Sequence, residues 1–302
     1  MADNTPFAGF KSGFVAVMGK PNVGKSTLIN TLVGQKIAAV SPRPQTTRMR
    51  QMGILTLDNA QIVFLDTPGV HKPRHKLGES MNKHALESLE ECDLILFVLD
   101  ISLPLDDEDR LLASEISRIK RPIPIILAFN KTDHLGLEDI PDRVAAFQGL
   151  VPNAAWITIS ATRGDNLERL LQEIQHRLPE GPPFFPEGQI TDLYEREISA
   201  DLIREAALIL LRDEIPHGIA VRIDEFSERN GNGAYIEATI FVERESHKGI
   251  VIGQGGRMLK QIGSAARREI EAMSGRKVYL RLRVKVRQNW RNDESVLRGF
   301  GF

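Results

Sequence analysis

The amino-acid sequence predicts an α/β domain built on a mostly parallel central sheet, followed by a smaller α+β domain. In the first part, apolar runs alternate with amphipathic helical patterns, and the runs at 94–99 and 123–129 are apolar on both faces. Such strands are typical of a sheet covered by helices on both sides. The length of 302 residues also favours two domains, because it is too great for one comfortable core.

The elements of the first domain follow one another to about residue 180. We expect strands at 14–19, 52–57, 60–66, 93–100, 122–130 and 155–160, and helices at 25–33, 79–91, 107–119, 138–149 and 166–178. Three prolines then fall within residues 182–186, which breaks any helix and indicates a linker. The predicted boundaries are 1–180 for the first domain, 181–193 for the linker and 194–302 for the second domain.

The second domain has a different order of elements. A long amphipathic helix at 196–215 precedes alternating strands at 218–228 and 234–244. A helix, a glycine loop and a second helix follow within 248–273, and the last strand is expected at 277–287. Alternation in that strand predicts an inward set (Val278, Leu280, Leu282, Val284, Val286) and an outward set (Tyr279, Arg281, Arg283, Lys285, Arg287).

The net charge of −1 conceals an uneven distribution of charge. Residues 248–291 contain twelve Lys or Arg and two acids, a net of +10, so the rest of the chain carries −11. A basic block of this density indicates a polyanionic partner. The single cysteine, Cys92, allows no disulfide within the chain and fits a reducing cytoplasm. We expect no signal peptide, because the N-terminal residues contain no basic region followed by an apolar run. We also expect no membrane span, because the most apolar segment, 93–105, is short and interrupted by Asp100.

Residues 19–27, GKPNVGKST, fit the phosphate-loop pattern G-x-x-x-x-G-K-S between a strand and a helix. Glycines let backbone N–H groups surround phosphate oxygens, and the helix N-terminus adds partial positive charge. We expect Lys25 to reach the β and γ phosphates and the Ser26 hydroxyl to bind Mg²⁺. The predicted nucleotide-binding residues of this loop are Gly19, Lys20, Pro21, Asn22, Val23, Gly24, Lys25, Ser26 and Thr27.

A second phosphate-side motif is DTPGV at 66–70. Asp66 ends an apolar strand, where its carboxylate can hold Mg²⁺ through water, and the Gly69 N–H can meet the γ-phosphate. Thr67, Pro68 and Val70 complete the turn. In many nucleotide hydrolases the residue after this glycine is a glutamine that orients the attacking water. Val70 cannot do so, and we therefore expect slow intrinsic hydrolysis.

The polar, proline-broken segment 35–50 is predicted to be the first switch. One of its threonines should complete the Mg²⁺ shell when a γ-phosphate is present. Thr46 and Thr47 are both candidates for this ligand, and Thr47 is favoured. The predicted catalytic residues are Asn22, Lys25, Thr47 and Gly69. Residues 70–80 resemble a second switch, in which His71 and His75 are better explained as mobile surface histidines than as general bases.

The base-binding motifs follow the last two strands of the first domain. In NKTD (Asn130, Lys131, Thr132, Asp133) the carboxylate of Asp133 can accept two hydrogen bonds from guanine. Adenine offers no such pair of donors, so the pattern selects guanine. Ser160 and Ala161 of ISAT at 159–162 can offer a backbone N–H to guanine O6. Four motifs in this order, each after a strand, predict a GTP site where ligands bind in open α/β sheets.

The second domain contains a glycine loop of another kind. Gly253, Gln254, Gly255 and Gly256 fit the G-x-x-G pattern, which in a KH domain clamps the backbone of single-stranded RNA. Basic residues lie on the following helix and on the last strand. The predicted RNA-binding set is Gly253, Gln254, Gly255, Gly256, Arg257, Lys260, Arg281, Arg283 and Lys285, with Arg267 and Arg268 nearby.

Together, GKPNVGKST, QTTR, DTPG, NKTD, SA and GIVIGQGG resemble the Era family of bacterial GTPases from about residue 10 to residue 300. The resemblance implies a P-loop GTPase domain joined to a type II KH domain, with GTP, GDP and Mg²⁺ as ligands. It also implies binding near the 3′ end of small-subunit (16S) ribosomal RNA, a role in its processing and in assembly of the small (30S) subunit, and peripheral membrane contact. No stable oligomer is implied.

Two further expectations accompany the resemblance. In GTPases that the family resembles, an asparagine at the position of Asn22 helps to bind potassium, so Asn22 is a candidate K⁺ ligand. Thr162 after SA differs from many relatives and bears on the base contact there. The alternative function is a signalling or membrane-associated GTPase whose C-terminal domain binds protein or lipid. The G-x-x-G loop and the alternating basic strand favour RNA.

Overall fold

The computed structural model describes residues 9–41, 43, 46–69, 73, 75–229, 233–300 and 302. The chain forms two compact units. The first comprises Met1–Lys36, Thr47–Lys72 and Met81–Asp192, and the second comprises Ile37–Thr46, Pro73–Ser80 and Leu193–Phe302. No helix in the described part is long and apolar enough to cross a membrane.

A six-stranded sheet forms the centre of the first unit. Its strands are β1 (Lys11–Met18), β2 (Gln51–Leu57), β3 (Ala60–Asp66), β4 (Leu94–Asp100), β5 (Ile125–Asn130) and β6 (Ala155–Thr158). They lie in the order β2-β3-β1-β4-β5-β6. Only β2 and β3 pair antiparallel, and the other neighbours are parallel. This confirms the predicted mostly parallel sheet.

Helices connect the strands of this sheet: α1 (Lys25–Val33), α2 (Lys76–Glu91), α3 (Asp107–Ser117) and α4 (Ile140–Gln148). A further helix, α5 (Leu167–Arg177), follows the last strand. Strands β3 and β4 are buried along their whole length, as expected for strands covered on both faces. Because β1, β3, β4, β5 and β6 run parallel, their carboxyl ends meet at one edge of the sheet. That edge receives all the nucleotide motifs.

The proline-rich segment after α5 is ordered along the first unit. The Gly181 N–H donates to the Phe10 carbonyl at 3.0 Å, and the Ile54 N–H of the edge strand β2 donates to the Ile190 carbonyl at 2.8 Å. Gln61, fully buried in β3, accepts from the N–H groups of Phe184 and Phe185 at 2.7 and 2.9 Å. The segment predicted as a linker therefore belongs structurally to the first unit through residue 192.

The second unit combines helices with a three-stranded sheet. Its elements are α6 (Glu195–Leu210), β7 (Ala220–Arg229), β8 (Gly233–Val242), α7 (Glu245–Ile252), α8 (Arg257–Ser274), β9 (Lys277–Val286) and α9 (Glu294–Gly299). The sheet order is β7-β8-β9, antiparallel and then parallel. Apolar residues of α6, β8 and α8, such as Leu202, Ile236 and Ile262, form one buried cluster.

One expectation for this unit needs correction. The long helix ends at Leu210, and a 3₁₀ turn, Ile215–Gly218, takes the place of its predicted end. The residues predicted to face inward in β9 do pack on the core: Val278 is buried, and the other four are half-buried against the same apolar cluster. The chain also continues into α9 after a turn that contains buried Trp290, whose ring N–H donates to the Gly218 carbonyl at 3.0 Å. No periodicity in the sequence indicates this closing contact.

Candidate functional site

The phosphate loop joins β1 to α1, and its first and last glycines lie where no side chain fits. A Cβ on Gly19 would lie 2.4 Å from the Val98 carbonyl oxygen, and a Cβ on Gly24 would lie 2.4 Å from Asn130 Nδ2. Gly24 has φ +100° and Asn22 has φ +65°, which is the left-handed region. The loop is therefore held by packing against β4 and the guanine loop.

Lys25, the first residue of α1, is buried at the centre of this loop. Its ammonium donates to the carbonyl oxygens of Gly19 at 3.0 Å and Lys20 at 2.9 Å. Burial lowers the pKa of Lys25 to about 8, although the negative charge of Asp66 opposes the shift. A bound phosphate, like Asp66, would favour the charged form of this lysine, and it would do so more strongly.

Three side-chain oxygens converge beside Lys25. The Ser26 hydroxyl donates to Asp66 Oδ2 at 2.7 Å. Thr47 Oγ1 lies 2.8 Å from Ser26 Oγ and 3.2 Å from Asp66 Oδ2. These are the hard oxygen donors that Mg²⁺ prefers beside phosphate, so the residues fit the ion. The neighbouring Thr46 differs, because its hydroxyl donates to the Arg43 carbonyl at 2.8 Å.

The DTPG turn folds back onto the phosphate loop. The buried Thr67 hydroxyl donates to the Val17 carbonyl of β1 at 2.7 Å. A Cβ on Gly69 would lie 2.6 Å from the Pro21 backbone nitrogen, so the turn and the loop are in close contact at this glycine. Val70 and His71 lie outside the described residues. His75 is described, and its carbonyl accepts from the Glu79 N–H at 3.2 Å.

The guanine loop begins where β5 ends. Asn130 donates from Nδ2 to the Val23 carbonyl at 2.8 Å and accepts the Ala161 N–H at 2.9 Å. It thereby links the phosphate loop to both base-binding motifs. The Thr132 hydroxyl donates to the Ile159 carbonyl at 3.0 Å, and the Asp133 carboxylate lies 3.4 Å from His134 Nε2.

Ser160 and Ala161 are held in a tight turn after β6. The Ser160 N–H donates to the Asp165 carbonyl at 3.2 Å, and its hydroxyl accepts the Arg163 N–H at 3.1 Å. Since the Ala161 N–H donates to Asn130 Oδ1, both N–H groups have partners within the chain. The contact to guanine O6 stays a prediction. Helix α1 approaches this turn at Thr31, whose hydroxyl lies within hydrogen-bond distance of two carbonyl oxygens, that of Thr27 at 2.9 Å and that of Ala161 at 3.0 Å.

The second glycine loop joins α7 to α8 in the second unit. A Cβ on Gly253 would lie 2.8 Å from Met258 Cβ, whereas nothing lies within 4 Å of a Cβ built on Gly255 or Gly256. These last two glycines have φ +59° and +78°. Beside them, a groove of about 380 Å³ runs between α8 and β9, lined by Gly256, Leu259, Lys260, Gly263, Ser264, Arg267, Tyr279, Leu280 and Leu282.

The predicted RNA-binding cations of α8 and β9 are exposed. Arg257 and Lys260 lie on the first turns of α8, and Arg281, Arg283 and Lys285 alternate along β9. Glu237 of β8 was not anticipated from the sequence. Its carboxylate lies 3.4 Å from Arg281 Nη1 and 2.8 Å from Arg283 Nη1, so it neutralises part of the charge of the strand. Only the pairing of β8 with β9, which places Glu237 opposite Arg281, indicates this contact.

Comparison with known proteins agrees with this geometry. Residues 14–131 match the model of a family described as a 50S ribosome-binding GTPase, and residues 214–291 match a KH domain model. The chain is 48% identical to the GTPase Era of Carboxydothermus hydrogenoformans, over 97% of this chain and 98% of that protein. It is also 48% identical to the GTPase Era of Clostridioides difficile, over 97% of this chain and 99% of that protein.

The chain belongs to the Era family of GTPases.

Two solved Era structures share its fold. One is Era in complex with MgGDPNP and nucleotides 1506–1542 of 16S ribosomal RNA, 42% identical with a TM-score of 0.91. The other is a variant of Aquifex aeolicus Era bound to GDP and aluminium fluoride, 42% identical with a TM-score of 0.92. Each covers 97% of this chain and 99% of its own. The P-loop GTPase and KH domains predicted from the motifs are thereby confirmed.

Two lysines of the nucleotide motifs have ion-pair partners that were not predicted from the sequence. Lys20 Nζ lies 2.6 Å from Asp106 Oδ2 and 2.9 Å from Asp109 Oδ2. Lys131 Nζ lies 2.6 Å from Asp100 Oδ2. The side chain of Lys20 is thus directed at α3, although it was predicted to bind nucleotide. The signal available in the sequence was the acidic run from Asp100 to Asp109, DISLPLDDED.

The charges of this cluster influence one another. Burial alone would lower the pKa of Lys20, but its hydrogen bonds to Asp106 and Asp109 outweigh burial and raise it. Burial raises the pKa of Asp109. At the more exposed Asp106 burial also acts to raise the pKa, but the hydrogen bonds from Lys20 and from the backbone N–H groups of Asp109 and Glu108, together with the charge of Lys20, outweigh it and lower the pKa. The two carboxylates therefore shift in opposite directions because Asp109 is the more deeply buried.

Proposed function

We propose that this protein is a GTP-hydrolysing switch that binds small-subunit ribosomal RNA near its 3′ end and assists its processing and 30S subunit assembly. The observation that carries the proposal is the convergence of Ser26, Thr47 and Asp66 beside buried Lys25. The same chain has an exposed G-x-x-G loop with basic neighbours. We choose the small ribosomal subunit because the Era structure that contains 16S ribosomal RNA matches both domains of this chain. The family model described as a 50S ribosome-binding GTPase matches residues 14–131 alone.

On the phosphate side, Lys25 would hold the β and γ phosphates, and Gly69 would offer its N–H to the γ-phosphate. Ser26 and Thr47 would hold Mg²⁺ directly, and Asp66 would hold it through water. When bound, the ion neutralises charge on the phosphates. The buried lysine acts in the same direction, because a positive charge in a site that excludes water is worth more than one in solvent.

On the base side, Asp133 would accept two hydrogen bonds from guanine. Lys131 would lie along the ring, and Asn130 keeps the loop in register through its bonds to Val23 and Ala161. Ser160 or Ala161 would reach O6 after a small rearrangement of the turn. These contacts reject adenine, because the wrong base would leave a partly buried carboxylate without its donors.

With no glutamine at Val70, another group must help to neutralise the charge that builds up between the β and γ phosphates. We propose that Asn22 helps to bind K⁺ there, much as an arginine finger acts in other GTPases. Its left-handed backbone, φ +65°, lies in the middle of the phosphate loop. Comparing hydrolysis rates in potassium, sodium and choline chloride at matched ionic strength tests this. K⁺ should accelerate the wild type but not Asn22→Ala, and equal rates in all three salts would refute the assignment.

In the KH domain, Gly253 to Gly256 would clamp four nucleotides of single-stranded RNA, and Gln254 and the exposed cations would contact its backbone. We assign the GTPase function to residues 1–180 and RNA binding to residues 194–302. We expect the protein to act in the cytoplasm, where ribosomes are assembled. Contact with the inner face of the membrane, implied by the resemblance, stays a prediction.

The two adjacent threonines provide a matched test of the nucleotide site. Thr47→Val should reduce Mg²⁺-dependent GTP hydrolysis at least about tenfold, because one oxygen ligand is lost. Thr46→Val makes the same chemical change and should leave the rate nearly unchanged, since the Thr46 hydroxyl bonds the Arg43 carbonyl. Equal losses in both variants, or a Thr47→Val enzyme with full activity, would contradict the assignment.

The RNA half of the proposal is tested separately. The wild type should retain an RNA with the sequence of nucleotides 1506–1542 of 16S ribosomal RNA more tightly than a scrambled RNA of equal length and composition. Crosslinking the same RNA in the presence of GDP and of a non-hydrolysable GTP analogue would then show whether the nucleotide controls binding. Equal affinity for both RNAs would exclude sequence-selective recognition of this region.

A further inference from the structure

Strand β4 has no nucleotide motif of its own, yet it lies between two strands that do. β1 delivers the phosphate loop and pairs with one side of β4, while β5 delivers the guanine loop and pairs with the other. The connection from β4 to α3, residues 100–109, therefore leaves the sheet between the phosphate and base subsites. This acidic connection contains Asp100, Asp106 and Asp109.

On the phosphate side, the connection holds Lys20. This lysine follows Gly19 directly, and its side chain is only 10% exposed, while that of Asp109 is 1% exposed. The ammonium bonds Asp106 and Asp109 at the start of α3, at 2.6 and 2.9 Å. The backbone carbonyl of Lys20 accepts the ammonium of Lys25 at 2.9 Å. The carboxylates that fix Lys20 consequently fix an oxygen that orients the phosphate-binding lysine.

On the base side, the connection holds Lys131 by its other end. Asp100 Oδ2 lies 2.6 Å from Lys131 Nζ. Asp100 Oδ1 accepts from the backbone N–H and the hydroxyl of Ser102, at 3.0 and 2.5 Å, and the carboxylate is 6% exposed. Because both oxygens are bonded, the carboxylate has a fixed direction, and so has the lysine stem that runs back towards the guanine loop. Lys131 itself has a left-handed backbone, with φ +67°.

We propose that the acidic connection is a positioning element that sets the phosphate and base subsites of the nucleotide site independently. Asp106 and Asp109 position the phosphate loop through Lys20, and Asp100 positions Lys131 against the base. The proposal rests on the nucleotide function proposed above. Its distinguishing consequence is that one connection has two separable effects, because each lysine contacts a different part of the ligand.

The test measures affinities for GDP and GMP, by competition with a fluorescent GDP analogue in Mg²⁺ buffer. The ratio of GDP affinity to GMP affinity reports how much the contacts between the β-phosphate and the phosphate loop contribute to binding. Asp109→Asn should lower GDP affinity at least about tenfold and GMP affinity much less, because a buried charge pair is broken at the phosphate side alone. Asp100→Asn should lower both affinities by the same factor and leave the ratio unchanged.

A control variant and a melting measurement separate positioning from fold stability. Asp107→Asn removes the same charge from the same helix turn at an exposed residue, and should change neither affinity. Thermal unfolding of each nucleotide-free variant completes the set, because a purely structural role would lower the melting temperature without changing the ratio. If Asp109→Asn does not fold, Asp106→Asn takes its place and should also lower the ratio of GDP affinity to GMP affinity.

A folded Asp109→Asn protein with the wild-type ratio would overturn the phosphate-side claim, and an altered ratio in Asp100→Asn would overturn the base-side claim. Wild-type protein that binds neither GDP nor GMP would refute the proposed nucleotide function itself. The two failures are therefore distinguishable in one experiment.

Discussion

The two glycine loops, 19–24 and 253–256, differ in their surroundings. In the first, a Cβ on Gly24 would lie 2.4 Å from Asn130, and the lysine that follows is buried. In the second, Gly255 and Gly256 face open space, and the predicted RNA-binding cations of α8 and β9 are exposed. Glycine thus builds two kinds of anion site in one chain: an enclosed cradle for a short phosphate chain and an open clamp for a strand that passes by.

The enclosed site should be chemically selective, and Asp133 is its sharpest test. Asp133→Asn should lose guanine preference, because an amide cannot accept two N–H donors, and should gain xanthine nucleotide, whose 2-oxo group accepts from the amide. We expect the GTP to XTP preference to change by about a thousandfold or more. Competition binding with both nucleotides measures it. A variant that still prefers GTP would show that Asp133 does not contact the base edge.

Adding one methyl group should affect the loops unequally. Gly24→Ala forces a Cβ against Asn130 Nδ2 in a left-handed conformation, and we expect GDP affinity to fall about a hundredfold. Gly255→Ala meets open space and bears only the cost of its positive φ, so RNA affinity should fall no more than about tenfold. Calorimetric titration of each ligand measures the two effects. Losses of equal size would break the contrast between cradle and clamp.

Salt should separate the sites further. If the KH loop clamps four nucleotides of single-stranded RNA, affinity should fall with a log–log slope of about −3, roughly 50-fold between 50 and 200 mM salt. GDP affinity should change far less, because buried charges are screened much less than exposed ones. Filter binding across a salt series gives both slopes. A flat RNA curve would exclude backbone contacts by the exposed cations.

The smallest expected effect depends on pH. Burial lowers the pKa of Lys25 to about 8 in the protein alone, and bound phosphates would favour its protonated form. The complex then carries more protons than the free protein, so GDP affinity is full below pH 8 and falls above it, by about fivefold between pH 8 and 9. Calorimetry at pH 8 in buffers of different ionisation enthalpy should detect uptake of about half a proton. No uptake would mean that Lys25 is already charged.

Much of this account could be predicted from local sequence. Apolar runs fixed the strands, and glycine patterns located both loops, because these features depend on residues close together in the chain. The ends of helices were less accurate: the helix predicted at 79–91 begins at Lys76. The capping box of α3, in which Asp106 and Asp109 cap each other's backbone, is also a local signal that the acidic run contained.

The contacts that sequence reasoning missed join residues far apart in the chain. Lys20 meets Asp109 across 89 positions, and Gln61 meets Phe185 across 124. Nothing in the pattern around Lys20 distinguishes a lysine that binds phosphate from one held by another helix. The choice between Thr46 and Thr47 is of the same kind, because adjacent hydroxyls differ only in what the folded chain places beside them.

The central claim is that the open loop binds RNA while the enclosed loop serves GTP. Gly255→Asp places a carboxylate where RNA phosphate should approach, and Gly275→Asp makes the same change at the other end of α8, where φ is +68° and the space is equally open. RNA affinity and GTP hydrolysis should be measured on the same samples. We predict that Gly255→Asp loses RNA affinity by about tenfold or more with an unchanged hydrolysis rate, while Gly275→Asp keeps both. RNA binding by Gly255→Asp equal to that of the wild type would contradict the account.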